Sequence, residues 1–303
     1  MTTQPQSVLI DTDPGLDDAV AILYALACGG FTIEAMTSVA GNIGITTTTQ
    51  NIGRLLAAMG RADIPYAAGA TRPLKGDGLE EAAIHGEDGL GGVVLPVPFA
   101  TPETQGAVAL LAERLRASSA GALTVLALGP LTNLALLARD APETYARIGR
   151  IIAMGGTIHE PGNAGQYAEF NMASDPLAAQ QVFAASVPVT LIPLDVTRKL
   201  RATQDDLDRL AMTRSVSAKL SADLIGAYFA QNADRQSRPL HDPCVMLMAL
   251  APNLFETQAL RISMDCETHP GRLVQTQDGA SIDVAMSIDA AAALNTLWRG
   301  LGD

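Results

Sequence analysis

The chain has 303 residues, 48% of them hydrophobic but only 4% aromatic, with 20 Lys plus Arg against 32 Asp plus Glu and a formal charge of −12. That length is ample to bury a core built mainly from Ala, Leu, Val and Ile. The acidic balance disfavours nucleic-acid and anionic-membrane partners and is easier to reconcile with a neutral or cationic small molecule.

Val8 to Ile10 reads as a short buried strand and Pro14-Gly15 as the turn that ends it. Asp17 to Cys28 follows as a helix, with Val20, Ile22, Leu23 and Ala27 on an apolar face and Gly29-Gly30 as its stop. A second strand, Phe31 to Ala40, ends at Gly41-Asn42-Ile43-Gly44. The alternation continues with helix Thr47 to Met59, strand Ile64 to Ala68, helix Pro102 to Ala117, strand Leu123 to Leu128 and helix Leu131 to Arg139. Strands Arg150 to Met154 and Val187 to Leu194 then flank helix Asp175 to Ala185. This pattern predicts an α/β fold with an open, mostly parallel central sheet and helices on both faces.

The last third changes character. Gln204 to Gln231 reads as helical and His241 to Leu250 as a short helix. Leu260 to Ser263, Arg272 to Thr276 and Ile282 to Met286 form a small antiparallel element before a closing helix, Ala290 to Leu301, and this tail is expected to cover one end of the sheet. No linker is visible, so residues 1–303 are read as a single domain. Two Gly-rich segments without periodicity, Thr71 to Pro96 and Gly155 to Asn171, are long enough to suggest functional loops.

Cys28, Cys244 and Cys266 are odd in number and form no CxxC pair, which argues against a disulfide framework or a zinc site and fits a reducing cytoplasm. Met1 to Ser7 lacks the pattern of a secretory signal. The longest uncharged stretch, Ala19 to Ile33, falls short of the ~20 apolar residues of a membrane span, so a soluble protein is expected.

Asp11, Asp13, Asp17 and Asp18 crowd the end of the first strand and the first turn of the next helix. Ligand sites in open α/β sheets form beyond the carboxyl ends of the strands, and carboxylates crowded there call for a hard cation, Ca²⁺ or Mg²⁺. Asn163 with Glu169-Phe170-Asn171, and His241-Asp242-Pro243, are distant in sequence yet can be gathered at the same sheet edge, with Gly41-Asn42 and Gly129-Pro130-Leu131-Thr132-Asn133 beside them. Taken singly each has a plainer use: Asp17 and Asp18 serve a helix start, Asn42 and Asn163 serve turns, and His85 sits in a Gly-rich loop. An EF-hand fails because Leu16 and Ile22 stand where its Gly and closing Glu belong, and the chain has no P-loop.

The set as a whole resembles the calcium-dependent nucleoside hydrolases of the inosine-uridine-preferring type. The resemblance rests on Asp11-Thr12-Asp13-Pro14-Gly15-Leu16-Asp17-Asp18-Ala19, then Gly41-Asn42, His85-Gly86, Gly129 to Asn133, Asn163, Glu169-Phe170-Asn171 and His241-Asp242-Pro243, and spans residues 8 to 243. It implies the Rossmann-like fold of that family and a Ca²⁺ held by Asp13, Asp18, Asp242 and the carbonyl of Leu128, with Asp11 in support. Leu128 stands where many members have Thr, which matters little to a backbone ligand. The resemblance further implies that Asp13 deprotonates a water held by the metal. Asp17 and Asn171 would bind the ribose 2′-hydroxyl, Asp242 the 3′-hydroxyl, and Asn163 with Glu169 the 5′-hydroxyl, while Asn42 lines the pocket.

Hydrolysis of an N-glycosidic bond to free base and ribose passes through an oxocarbenium-like cation, which suits a pocket rich in carboxylates. His241 is the best-placed acid for the leaving base, although His85, on a loop able to close over the substrate, is a rival. The helix around Tyr228, Phe229 and Gln231 is expected to contact the base. Trp298, in the last helix, is the only tryptophan, which closes the option of stacking the base between tryptophans. A homodimer or homotetramer is expected by resemblance. Two alternatives stay open: a haloacid-dehalogenase-like metal-dependent phosphatase with Asp11 as nucleophile, and a nucleoside or ribose binding protein without turnover. The base preference is not legible.

Overall fold

The computed structural model describes residues 4–230 and 236–302. Its first half contains β1 (Gln6–Thr12), α1 (Leu16–Ala27), β2 (Phe31–Ser38), α2 (Ile45–Ala58), β3 (Tyr66–Ala68), α3 (Ala82–His85), α4 (Ala107–Ala117), β4 (Thr124–Ala127), α5 (Thr132–Asp140), α6 (Pro142–Tyr145) and β5 (Arg150–Met154). There follow α7 (Phe170–Ser174), α8 (Pro176–Ala184), β6 (Val189–Ile192), α9 (Leu194–Thr197), β7 (Arg201–Thr203), α10 (Gln204–Met212), α11 (Val216–Ala230) and β8 (Ser237–Pro239). The chain closes with α12 (Pro243–Leu250), β9 (Phe255–Asp265), β10 (Arg272–Gln275), β11 (Ala280–Ile288) and α13 (Ala290–Leu301).

Strand β1 shows why the sheet is covered twice. Val8 and Ile10 join a core with α1, α2, α11, α12 and α13. Leu9, pointing the other way, joins a second core with α4, α5 and α8. Successive side chains of a strand face opposite sides, so a strand apolar at every position needs helices on both. The nine strands lie in the order β10-β9-β11-β6-β5-β4-β1-β2-β3. From β11 to β3 all neighbours are parallel, whereas β9 and β10 are added antiparallel.

The open, mostly parallel sheet is therefore as expected, and the antiparallel element is present, but its place differs. It extends the central sheet, because β11 pairs in parallel with β6 through Asp283–Thr190 and Val284–Leu191, and does not cover an end of it. Ile282 and Val284 are buried in the second core, which makes that edge more favourable than a free hairpin. The helical stretch from Gln204 divides at Thr213, where α10 ends, before α11 begins at Val216. Gln231 lies outside the described residues. Strands β7 and β8 form a separate two-stranded antiparallel sheet with no signal in the sequence, since each has only three residues. Among the described residues no helix is long and apolar enough to cross a membrane.

Asp175 and Asp195 tie the two Gly-rich segments down. Asp175 accepts from Leu74 N–H (2.8 Å) and the Thr132 hydroxyl (2.7 Å) while capping α8 at Ala178 N–H (3.0 Å). Asp195 accepts from the N–H groups of Ile158 (2.8 Å), His159 (2.7 Å) and Glu160 (3.2 Å), and these bonds hold its carboxyl below the usual value against the opposing effect of burial. Removing so concentrated an acceptor leaves several loop donors unpaired. Asp195→Ala is expected to lower stability by about 2–4 kcal/mol, read as a shift of the urea midpoint at constant slope, with Asp195→Asn intermediate.

Candidate active site

The residues singled out in the sequence converge where the parallel strands end. A cavity of about 320 Å³ is lined by Asp17, Asn42, His85, Leu128, Asn163, Glu169, Asn171, Tyr228, His241 and Asp242, every one of them a sequence-level candidate. Asp11, Asp13 and Asp18 lie beneath this lining, almost completely removed from solvent.

The floor is built by β1 and the start of α1. Asp18 accepts from the Thr12 hydroxyl (2.6 Å), Gly15 N–H (3.1 Å) and the Asn42 amide (3.0 Å). Asp13 Oδ2 accepts from Asn42 N–H (2.7 Å), whereas its Oδ1 is enclosed with no hydrogen-bond donor. Carboxylate oxygens of Asp17, Asp18 and Asp242 come within 4.8 Å of one another. That grouping brings Asp17, assigned by resemblance to ribose, in among the metal candidates. Asp11 holds the layer below, accepting from the Thr37 hydroxyl (2.5 Å) and the Asn133 amide (2.8 Å). Glycine is required at positions 41 and 129 because a Cβ at either would run into the Asp13 carboxylate.

The walls carry double duties. Glu169 caps α7, accepting from Asn171 N–H (2.9 Å), Met172 N–H (3.2 Å) and, across the loop, Gly156 N–H (2.9 Å). Asn163 Oδ1 accepts from Phe170 N–H (2.8 Å). The Asn171 amide donates to the Leu128 carbonyl (2.6 Å), which leaves that oxygen a second lone pair. His85 accepts Leu16 N–H at Nδ1 (3.0 Å), pinning its loop to the start of α1. His241 N–H donates to Asp17 (3.2 Å). Tyr228 reaches the cavity from α11, with the Arg238 guanidinium 4.7 Å above its ring.

Burial raises the carboxyls of Asp11, Asp13, Asp18, Glu81, Glu169 and Asp242. Asp13 stands well above its ordinary value through burial and then the charge of Asp18, and Asp242 does so through burial and then Asp18, Asp17 and Asp13. Asp11 is pushed up to about 6, burial outweighing its hydrogen bonds from Thr37 and Asn133. Glu169 and Glu81 are each pushed up to about 7 by burial, with Asp17 adding to the shift of Glu81. Burial lowers His241. Crowded, buried, oxygen-only donors with one orphaned carboxylate oxygen fit a hard divalent cation, and fit poorly any site designed to stay empty.

Glu81, Ile84, Met154, Phe170, Arg198, Arg201 and Pro239 also line the cavity and were not anticipated. Glu81 precedes α3 and Ile84 lies within it beside His85, and Phe170 separates two candidates, so proximity to motifs was a usable signal. Arg198 and Arg201 had none, because they fall between the expected strand Val187 to Leu194 and the helical stretch from Gln204, where no element is legible. Arg198 bonds Glu160 (3.2 Å) and the carbonyls of Pro161 (2.7 Å) and Gly162 (3.3 Å), and Arg201 bonds Ser237 (2.8 Å).

The profile of the family described as inosine-uridine preferring nucleoside hydrolase matches residues 8–295. The chain belongs to this family. Similar proteins include the pyrimidine-specific ribonucleoside hydrolase RihA of Citrobacter koseri, 42% identical over 254 residues that cover 82% of this chain and 81% of the relative. The protein of the same description from Shewanella woodyi is 36% identical over 305 residues covering 97% of each chain. Among solved structures, a plant nucleoside hydrolase superposes with a TM-score of 0.92 at 29% identity, covering 98% of this chain and 99% of the other. A purine-preferring ribonucleoside hydrolase from Gardnerella vaginalis does so with 0.90 at 27% identity, covering 98% of each. This nucleoside hydrolase is thus an enzyme of the ribonucleoside N-glycosidase class.

Two outcomes follow from the floor. The raised carboxyls hold protons in the folded state that the unfolded chain releases, so their contribution is present below the unfolded value and lost as pH climbs through the folded one. For Glu169 that window runs from 4.5 to about 7 and is worth on the order of 3 kcal/mol. Metal-free protein is therefore expected to lose thermal stability from about pH 5 to about pH 8, and a divalent cation to restore more of it at the upper end; a melting temperature that rises with pH in chelator contradicts this. Gly129→Ala, by displacing the Asp13 carboxylate, is expected to lower kcat/KM by about tenfold or more while circular dichroism stays unchanged.

Proposed function

We propose that this chain hydrolyses pyrimidine ribonucleosides, uridine and cytidine, to free base and ribose, with residues 1–303 acting as one catalytic unit. The observation that carries the chemistry is the enclosed Oδ1 of Asp13, a carboxylate oxygen without a donor at the floor of a cavity lined with further carboxylates. The pyrimidine preference rests on relatives described as pyrimidine-specific at 42% and 36% identity. The burial of Trp298, 1% exposed in α13, agrees with a base pocket that does without tryptophan stacking.

Asp13, Asp18, Asp242 and the Leu128 carbonyl would hold Ca²⁺, which supplies Lewis acidity that makes water a nucleophile near neutral pH. Asp13 takes the proton of the attacking water while the water oxygen bonds to C1′. The C1′–N bond breaks, its electron pair stays with the base, and His241 delivers a proton to that base. Asp17 and Asn171 grip the 2′-hydroxyl, Asp242 the 3′-hydroxyl, and Asn163 with Glu169 the 5′-hydroxyl, with Asn42 beside them, while His85 and Tyr228 close on the base. Negative charge from Asp17, joined by Glu81 and Glu169 as pH rises past about 7, favours the ribosyl cation as it forms and disfavours a 5′-phosphate. Asp11 is poorly suited to be the nucleophile of a phosphatase, since its carboxylate is bonded to Thr37 and Asn133 in the layer below the cavity, whereas Asp13 keeps an oxygen without a donor. Three free cysteines agree with work in a reducing cytoplasm, where we place the enzyme as a homodimer or homotetramer.

A base-release assay over uridine, cytidine, inosine, adenosine and uridine 5′-monophosphate, with chelator and with Ca²⁺ added back, tests the reading. Expected are turnover of the two pyrimidine nucleosides at about tenfold or greater advantage, loss in chelator and recovery with Ca²⁺. Asp13→Ala is expected to lower kcat by about a hundred- to ten-thousand-fold with the fold intact. Full activity in that variant, or tight uridine binding without any base release by the wild type, would refute the assignment.

A further inference from the structure

The turn that follows β6 organises more of the cavity than its length suggests. Within α9, Asp195 anchors residues 158–160, and Arg198 immediately after it anchors 160–162, so this turn fixes the loop that leads to Asn163 and Glu169. The same turn reaches the opposite wall. Thr197, fully buried, places its hydroxyl 2.7 Å from Nδ1 of His241. The main chain is tied there as well, Leu240 N–H donating to the Leu200 carbonyl at 2.8 Å and His241 N–H to Asp17 at 3.2 Å.

An imidazole has two ring nitrogens, and the partner of one sets what the other can do. With Nδ1 engaged by Thr197, Nε2 is the nitrogen of His241 left for the cavity. The partner is a hydroxyl, which can donate to a bare Nδ1 or accept from Nδ1–H, so the bond survives proton delivery from Nε2. His85 differs in this respect. Its Nδ1 accepts a backbone N–H from Leu16, a group that can only donate, so a ring proton on Nδ1 would break that bond. Of the two histidines facing the cavity, His241 has the adaptable support.

We propose that Thr197 is a positioning residue for the leaving group: its hydroxyl fixes the His241 ring so that Nε2 faces the base as the C1′–N bond breaks. The inference rests on His241 being the proton donor, as set out above. It requires no contact between Thr197 and the substrate.

The test compares uridine, whose base needs a proton to leave, with 4-nitrophenyl β-D-ribofuranoside, whose phenolate leaves as a stable anion. Thr197→Val keeps the side-chain volume and removes the hydroxyl; Thr197→Ala is the second variant should Val fail to fold. Expected for either is a fall in kcat for uridine of about tenfold or more, with KM and the 4-nitrophenyl riboside rate within about twofold of wild type. Thr197→Ser is expected to restore uridine turnover. His241→Ala serves as the reference. If it loses both substrates alike, or neither, the donor reading itself fails. If it is selective for uridine while Thr197→Val matches wild type, or loses both substrates equally, Thr197 does not position the donor.

Discussion

The burial of like charge at the end of β1 is the constraint on which the rest of this structure depends. At an effective dielectric of about 20, two carboxylates about 4 Å apart repel by about 4 kcal/mol, and desolvation adds to the cost. The fold answers with donors placed from every available side: the Thr12 hydroxyl, the amide of Gly15 and both nitrogens of Asn42. It also clears space, since Gly41 and Gly129 leave the Asp13 carboxylate the volume that a Cβ would take. What those donors leave unsatisfied is an oxygen environment that a hard cation completes, and the same surplus of negative charge suits a cationic ribosyl transition state.

A second theme is economy in the walls. Glu169 stabilises a helix start, Asn163 fixes the following N–H and Asn171 joins the ends of β4 and β5, yet all three face the cavity. Their preorganisation is therefore a by-product of folding: the side chains are held by the main chain before any ligand arrives, which reduces the ordering cost of binding. The remaining walls come from α3, the residues that follow α9, α11 and the chain around β8, segments far apart in sequence that meet over the same cavity.

How much of this was legible in the sequence depended on chemical density. Asp11 to Asp18 announces itself because four carboxylates in eight positions have few bland explanations, and Gly129 to Asn133 follows a strand end where glycine and asparagine are informative. Asn133 proves to hold Asp11 and Thr132 to hold Asp175, roles that require three-dimensional neighbours to read. Thr197 and Arg198 left no trace, since a single helical turn has no periodicity to detect. The strands β7 and β8 were invisible for the same reason, although they deliver Leu240 and His241 to the site. The edge pairing of β11 with β6 was missed because alternation identifies a strand and not its neighbour.

The one tryptophan has a practical consequence. Trp298 is sealed in α13, with its indole N–H donating to Asp206 of α10 at 3.0 Å, and it does not line the cavity. Its emission therefore reports the seam between those helices. In a denaturation experiment this is a clean single-position optical probe of global unfolding. In a titration with nucleoside the same signal is nearly blind, and a silent fluorescence trace would say nothing about whether the pocket had filled.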